Sequence, residues 1–138
     1  MPRDVSVESD RFAAAISQIL DNVKSGVETG IKEPVRDAGK TARKEWRSRW
    51  NGIRKGRSSG PKYAQSISYT VKDRGGDISV EIGSKTMPGL PHLLELGHAT
   101  VGGGFVPGRP HISPAADTAM EQFEKDVDKA VQEAIEQA

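Results

Sequence analysis

Four residues have types and spacing that suggest chemistry: His92, Glu95, His98 and His111. Steps of three from His92 to Glu95 and from Glu95 to His98 would let the three share a helical face. The spacing is not the H-E-x-x-H of a helical zinc site. Pro91 and Gly97 also argue against one continuous helix across the segment. A metal centre needs three or four placed ligands and a supporting shell. Local loop hydrogen bonds or interface contacts are the simpler expectation for these side chains. The absence of cysteine removes disulfides, iron–sulfur clusters and thiol nucleophiles. Gly102-Gly103-Gly104 lacks the spacing of a phosphate-binding loop or of a dinucleotide fingerprint, and no G-x-S-x-G element is present. Neither an enzyme nor a cofactor is expected.

The net charge of +1 conceals segregation. Residues 36–62 hold ten Lys/Arg against two Asp/Glu, whereas residues 117–138 hold two against seven. The basic run includes Arg43, Lys44, Arg47, Arg54, Lys55 and Arg57, around Trp46 and Trp50. It matches no named DNA-reading motif. These cations are expected either to contact phosphates without sequence preference or to meet an acidic surface of another subunit. Trp46 and Trp50 lie four apart on one helical face and are expected to cap the core.

The elements that must position these residues follow from periodicity. Phe12, Ile16, Leu20, Val23, Val27, Ile31, Val35, Ala38, Ala42, Trp46 and Trp50 recur at steps of three or four, which predicts a long helical stripe. Gly26, Gly30 and Pro34 predict a kink near 30–34, with Pro34 in the first turn of the second half. Asn51 to Pro61 reads as a flexible loop, about 51–62. Tyr63 to Val71 and Ile78 to Ile82 alternate about a Gly-Gly turn, which predicts a β-hairpin. Residues 83–114 form a Gly/Pro-rich loop holding a short helical segment closed by Gly97 and a short strand at Phe105-Val106 that returns to the sheet. Ser113 as N-cap and Pro114 begin a final helix whose buried face is expected to be Met120, Phe123, Val127, Val131 and Ile135. The fold class is α+β in a single domain, 1–138: a small antiparallel sheet packed on a long kinked N-terminal helix and a C-terminal amphipathic helix. Residues 1–10 lack the apolar stretch of a signal peptide, no window is apolar enough to span a bilayer, and a cytoplasm-like compartment is expected. Low apolar content, 35%, suits a protein that completes its burial by self-assembly.

Two short motifs, LLELGH at 93–98 and PGRPHISPA at 107–115, precede an amphipathic C-terminal helix and follow the hairpin YAQSISYTV and DISVEIGS. In order and spacing the chain resembles the small tail-completion or head–tail joining proteins of long-tailed bacteriophages and prophages. His111 departs from the aromatic residue commoner at that place, and the basic segment 36–62 is not a hallmark of that group. The resemblance implies a virion structural protein of the neck: a ring, commonly of six subunits, closing the tail tube and offering the head connector a docking surface. The implied partners are other copies of the chain, a connector or stopper protein, the tail tube or a terminator, and genome DNA in the lumen, with no membrane. Glu95, His98, Arg109, Pro110 and His111 would fix the loop and its interface contacts. A tail terminator is the neighbouring role. A small basic DNA-binding module and a metal-dependent enzyme using the three histidines and Glu95 are the rivals from other classes.

Overall fold

A computed structural model describes residues 2–54 and 60–138, with side chains over 9–53 and 62–138. The chain runs through α1 (Pro2–Gly30), α2 (Lys32–Arg54), α3 (Gly60–Ser66), β1 (Ile67–Arg74), β2 (Asp77–Ser84), α4 (Leu90–Leu96), β3 (Gly97–Ala99), β4 (Phe105–Pro107) and α5 (Ile112–Gln137). The expected α+β class is the one observed, with small antiparallel sheets packed on long helices.

The kink falls at Ile31. Pro34, in the first turn of α2, has no N–H to continue the ladder. The path is carried across by Ile31 N–H to Val27 O (2.9 Å) and Val35 N–H to Ile31 O (3.0 Å). Gly26 and Gly30 do more than weaken the helix. A methyl group at Gly26 would sit 3.0 Å from the Ala134 Cβ, and one at Gly30 would sit 3.4 Å from the Ala130 Cβ. Small residues on both helices let α1 and α5 run antiparallel in close contact.

α2 is the central element, in contact with both α5 and the hairpin. It meets the hairpin through Gly39, where an added Cβ would lie 2.7 Å from Val80 and 2.8 Å from the Tyr69 ring. β1 and β2 pair from Ile67↔Ser84 to Arg74↔Asp77. Gly75 (φ +69°) begins the two-residue turn, which needs a left-handed first position to match the strand twist. Lys32 fastens the far end of the hairpin to α2 through Asp73, 3.0 Å away.

The structure moves several boundaries. α2 continues to Arg54 and α3 begins at Gly60, so the expected loop 51–62 is helical at both ends; its centre, 55–59, lies outside the described residues. Tyr63 to Ser66 is helix, and the strand begins at Ile67. The step of four from Tyr63 to Ile67 fits a helix as well as a strand, and both side chains enter the core. β4 does not return to the hairpin. It pairs with β3, His98 opposite Val106, in a separate two-stranded ribbon. α5 starts two residues before Pro114, and its buried residues are Ala115, Ala119, Ala130 and Ala134. Met120 and Ile135 are exposed, while Phe123, Val127 and Val131 are half-buried. Close helix contact selects the smallest residues, and the larger ones flank the seam.

Candidate functional site

The core and the motif segment are one structure. Trp46 and Trp50 of α2, Tyr63, Ala64 and Ile67 of α3–β1 and Ala115 of α5 form the buried cluster, with Ile82, Leu90, Leu94 and Ile112 against it. His111 stands at its centre, wholly buried. Its ring lies 4.9 Å from Trp50, 5.6 Å from Tyr63 and 5.9 Å from Trp46, centroid to centroid.

One tautomer gives each side-chain N–H and O–H of Trp46, Tyr63 and His111 a partner. The Arg109 carbonyl only accepts, so His111 Nδ1 donates to it at 2.7 Å. His111 Nε2 then accepts from the Tyr63 hydroxyl at 2.8 Å. That hydroxyl in turn accepts from Trp46 Nε1–H at 2.9 Å. The result is a buried polar relay from α2 through α3 to the start of α5. Burial pushes the Tyr63 hydroxyl up to about 12, against the Trp46 bond that favours the phenolate, and Glu95 adds to the rise. A phenol held that high is a structural donor.

Glu95 provides the second tie. The first amides of a helix have no partner within it, and α5 has no side-chain cap of its own. The Glu95 carboxylate, brought in by α4, supplies one. Oε1 accepts from His111 N–H (2.8 Å) and Ile112 N–H (2.9 Å), and Oε2 accepts from Ser113 N–H (3.0 Å). A carboxylate at this end also meets the positive pole of the helix. Burial by itself would raise this carboxyl. The three amides, with His111 alongside, outweigh burial and hold it below its ordinary value of 4.5.

The backbone closes the same junction. Arg109 N–H donates to Leu94 O at 2.7 Å. Gly97 (φ +89°) and Gly108 sit where the two motifs cross. A Cβ at Gly97 would fall 2.5 Å from Val106 O, and one at Gly108 would fall 2.4 Å from Glu95 O. No side chain fits at either place. On the other flank, Ser66 Oγ donates to Tyr63 O (2.6 Å). That leaves Ser84 to donate to Ser66 (2.6 Å) while accepting from Met87 N–H (3.1 Å).

The expected site residues therefore divide. Glu95 and His111, expected at an interface, work inside the protein. His98 is half-buried on β3, Arg109 is half-buried with its backbone engaged on both sides, and Pro110 is exposed. His92 is exposed and not gathered with the others. Among the described residues, no group of three His, Asp or Glu side chains is placed to hold a metal ion. No helix among them is long and apolar enough to cross a membrane.

The basic side divides too. Arg47, expected to face DNA or a neighbour, donates through Nη2 to Ile67 O (2.6 Å) and Gln65 O (3.2 Å), so its charge ties α2 to the α3–β1 corner. The Arg43 guanidinium lies 4.8 Å above the Tyr69 ring. Lys40, Arg43, Lys44, Arg47, Ser48 and Asn51 line an open groove of about 630 Å³. The side chains of Arg54, Lys55 and Arg57 lie outside the described residues.

Two exposed apolar features complete the surface, and neither is legible from motif spacing. One is a lip held out by the junction: Leu93 and Leu96 of α4, Val101 of the ribbon's turn and Phe105 of β4, from 46% to 110% exposed. The other is the first half of α1, where Phe12, Ile16, Ile19 and Leu20 are 41–69% exposed. Val101 and Phe105 in a Gly-rich turn were the available signal for the lip. For α1 the stripe was visible, but its lack of cover was not. Comparison with known proteins finds no match to the chain, whether among protein-family models, curated proteins or solved structures.

Proposed function

We propose that this chain is a structural protein of a phage neck, acting in tail completion and head–tail joining as a ring of identical subunits. The observation that carries the proposal is the junction between the two motifs on which the resemblance rests. LLELGH and PGRPHISPA meet through Glu95, Gly97, Gly108 and the Leu94–Arg109 backbone bond, and the junction presents an apolar lip. A docking protein requires such a surface: backbone held in place by close contacts, with exposed apolar side chains above it. Self-assembly also suits the charge layout. Glu33, Asp37, Asp126 and Glu133 share a shallow groove beside the kink, opposite in sign to the groove of Lys40, Arg43 and Lys44. Unlike patches at successive places along α2 can favour head-to-tail contacts, which close into rings.

Light scattering with negative-stain imaging should give a ring of about six subunits, and the purified chain should bind purified tails that lack this component. A chain that neither assembles nor binds tails would overturn the proposal. A tail-terminator role would differ in one outcome, since its loss would yield tails of abnormal length.

The open basic groove favours a second reading, a small DNA-binding module. That reading predicts strong retention on duplex DNA, a steep loss of binding with salt, and no self-association.

A further inference from the structure

The two halves of α1 have different surroundings. From Gly26 to Gly30 it lies against Ala134 and Ala130. Before that, α5 has ended, and the same face continues as Phe12, Ile16, Ile19 and Val23, at steps of four, three and four, with Leu20 beside them. Phe12 and Leu20 are 69% and 62% exposed. The seam between α1 and α5 therefore extends into an apolar stripe that no described residue of the chain covers.

A matching feature lies elsewhere. Between α2, β2 and α5 is a groove of about 350 Å³. Ala42 and Trp46, Val80 and Ile82, and Ile112 and Met120 form its walls, and almost all of its surface is apolar. A cavity of about 150 Å³ takes a benzene-sized group, so this one admits about two large side chains. Apolar anchors four residues apart on a helix are the usual way to fill such a groove.

The stripe cannot fill the groove of its own chain. α1 and α5 run antiparallel from the Gly26–Ala134 contact, so the stripe lies in one direction and the groove in the other. At about 1.5 Å per residue along the two helices, they are roughly 30–50 Å apart. A projection and a receptor at separate places on one chain form a heterologous contact.

We infer that the first half of α1 docks in the α2–β2–α5 groove of a neighbouring copy, with Phe12 and Leu20 as its two anchors and Ile16 lying between them at the groove's rim. This inference deepens the ring reading above and rests on it for closure of the assembly. Pairing of α1 with α1 of another copy would leave the groove empty, whereas a single head-to-tail contact covers both apolar surfaces.

The test uses two variants of the full chain, each changed only at exposed positions. One carries Phe12→Glu and Leu20→Glu on the stripe; the other carries Ala116→Arg and Met120→Glu at the groove. Circular dichroism checks that both are folded. The wild-type chain assembles, and each variant alone loses self-association by about 30-fold or more, the scale of a lost hot spot. An equimolar mixture recovers one intact junction, since one variant keeps its groove and the other its stripe, so it gives dimers that go no further. Tryptophan fluorescence shifts in the mixture and in neither variant alone, Trp46 being the tryptophan that lines the groove. A groove variant that assembles like the wild type, a mixture that stays monomeric, or a wild-type chain that is monomeric at every concentration each overturns the inference. Tail binding by the wild-type chain is scored separately, so failure of this contact is distinguishable from failure of the neck reading.

Discussion

The Glu95–His111 junction and the first half of α1 are opposites within one small chain. At the junction, side chains that titrate in water are buried, and every hydrogen of the Trp46–Tyr63–His111 relay has a partner. Along α1, apolar side chains stand in solvent over several turns. Polar groups are tolerated inside a protein only when their partners are built in. Apolar groups left outside in a contiguous stripe mark a surface that another molecule covers. The proposed docking places interaction in the second region and stability in the first, and mutations should separate the two.

The largest effect is expected from His111→Ala. It opens a cavity among Trp46, Trp50 and Tyr63 and strands the Tyr63 hydroxyl, so about 4 kcal/mol should be lost in urea unfolding. A loss under about 1 kcal/mol would mean that the relay does not hold the core. Glu95→Ala ranks next. The His111 amide and the first two amides of α5 lose their acceptor, and about 3 kcal/mol is expected from thermal or chemical unfolding.

The same carboxylate sets an acid limit. Its folded value lies below 4.5, so its contribution is complete above that pH and is lost as pH falls through the folded value. The Glu95→Ala chain should show a weaker dependence of stability on pH in that window. Tyr63 sets an alkaline limit of the opposite sign. Raised to about 12 from 10.0, it contributes fully below pH 10, and its contribution is lost as pH rises toward the folded value. Tyr63→Phe should flatten that arm of the profile.

A smaller effect is expected at the helix seams. Gly39→Val puts side-chain atoms against the Tyr69 ring and Val80 and should cost about 2 kcal/mol, although Val suits a helix interior better than Gly. Unchanged or increased stability would show that α2 does not rest on the hairpin at this point.

The smallest effect on stability is expected from Ile19→Ser on α1, within about 0.5 kcal/mol. The same change should weaken self-association, measured by sedimentation. A large loss of monomer stability would place the stripe with the core and erase the contrast.

Local patterning determined much of this protein. The period of three and four from Phe12 to Trp50, the break near Pro34, the alternation about Gly75-Gly76, the turn of helix closed by Gly97 and the amphipathic last helix can all be read from neighbouring residues, because each depends on backbone sterics and on side chains a turn or a pleat apart. The motifs marked 93–98 and 107–115 as a shaped segment. Their mutual contact was not legible, since Glu95 reaches amides sixteen to eighteen residues away and no periodicity links them.

Tertiary structure alone decided which face of each stripe is covered. It turned Gly26 and Gly30 from helix weaknesses into contact points, and it buried the alanines of α5 while leaving Met120 outside. It sent β4 to β3 and gave Arg47 to a pair of backbone carbonyls. It placed His111, a residue with every appearance of a surface or ligand side chain, at the centre of an aromatic core. Burial and partnership depend on the distance between segments far apart in the chain, and a sequence pattern specifies only what each segment offers to such a meeting.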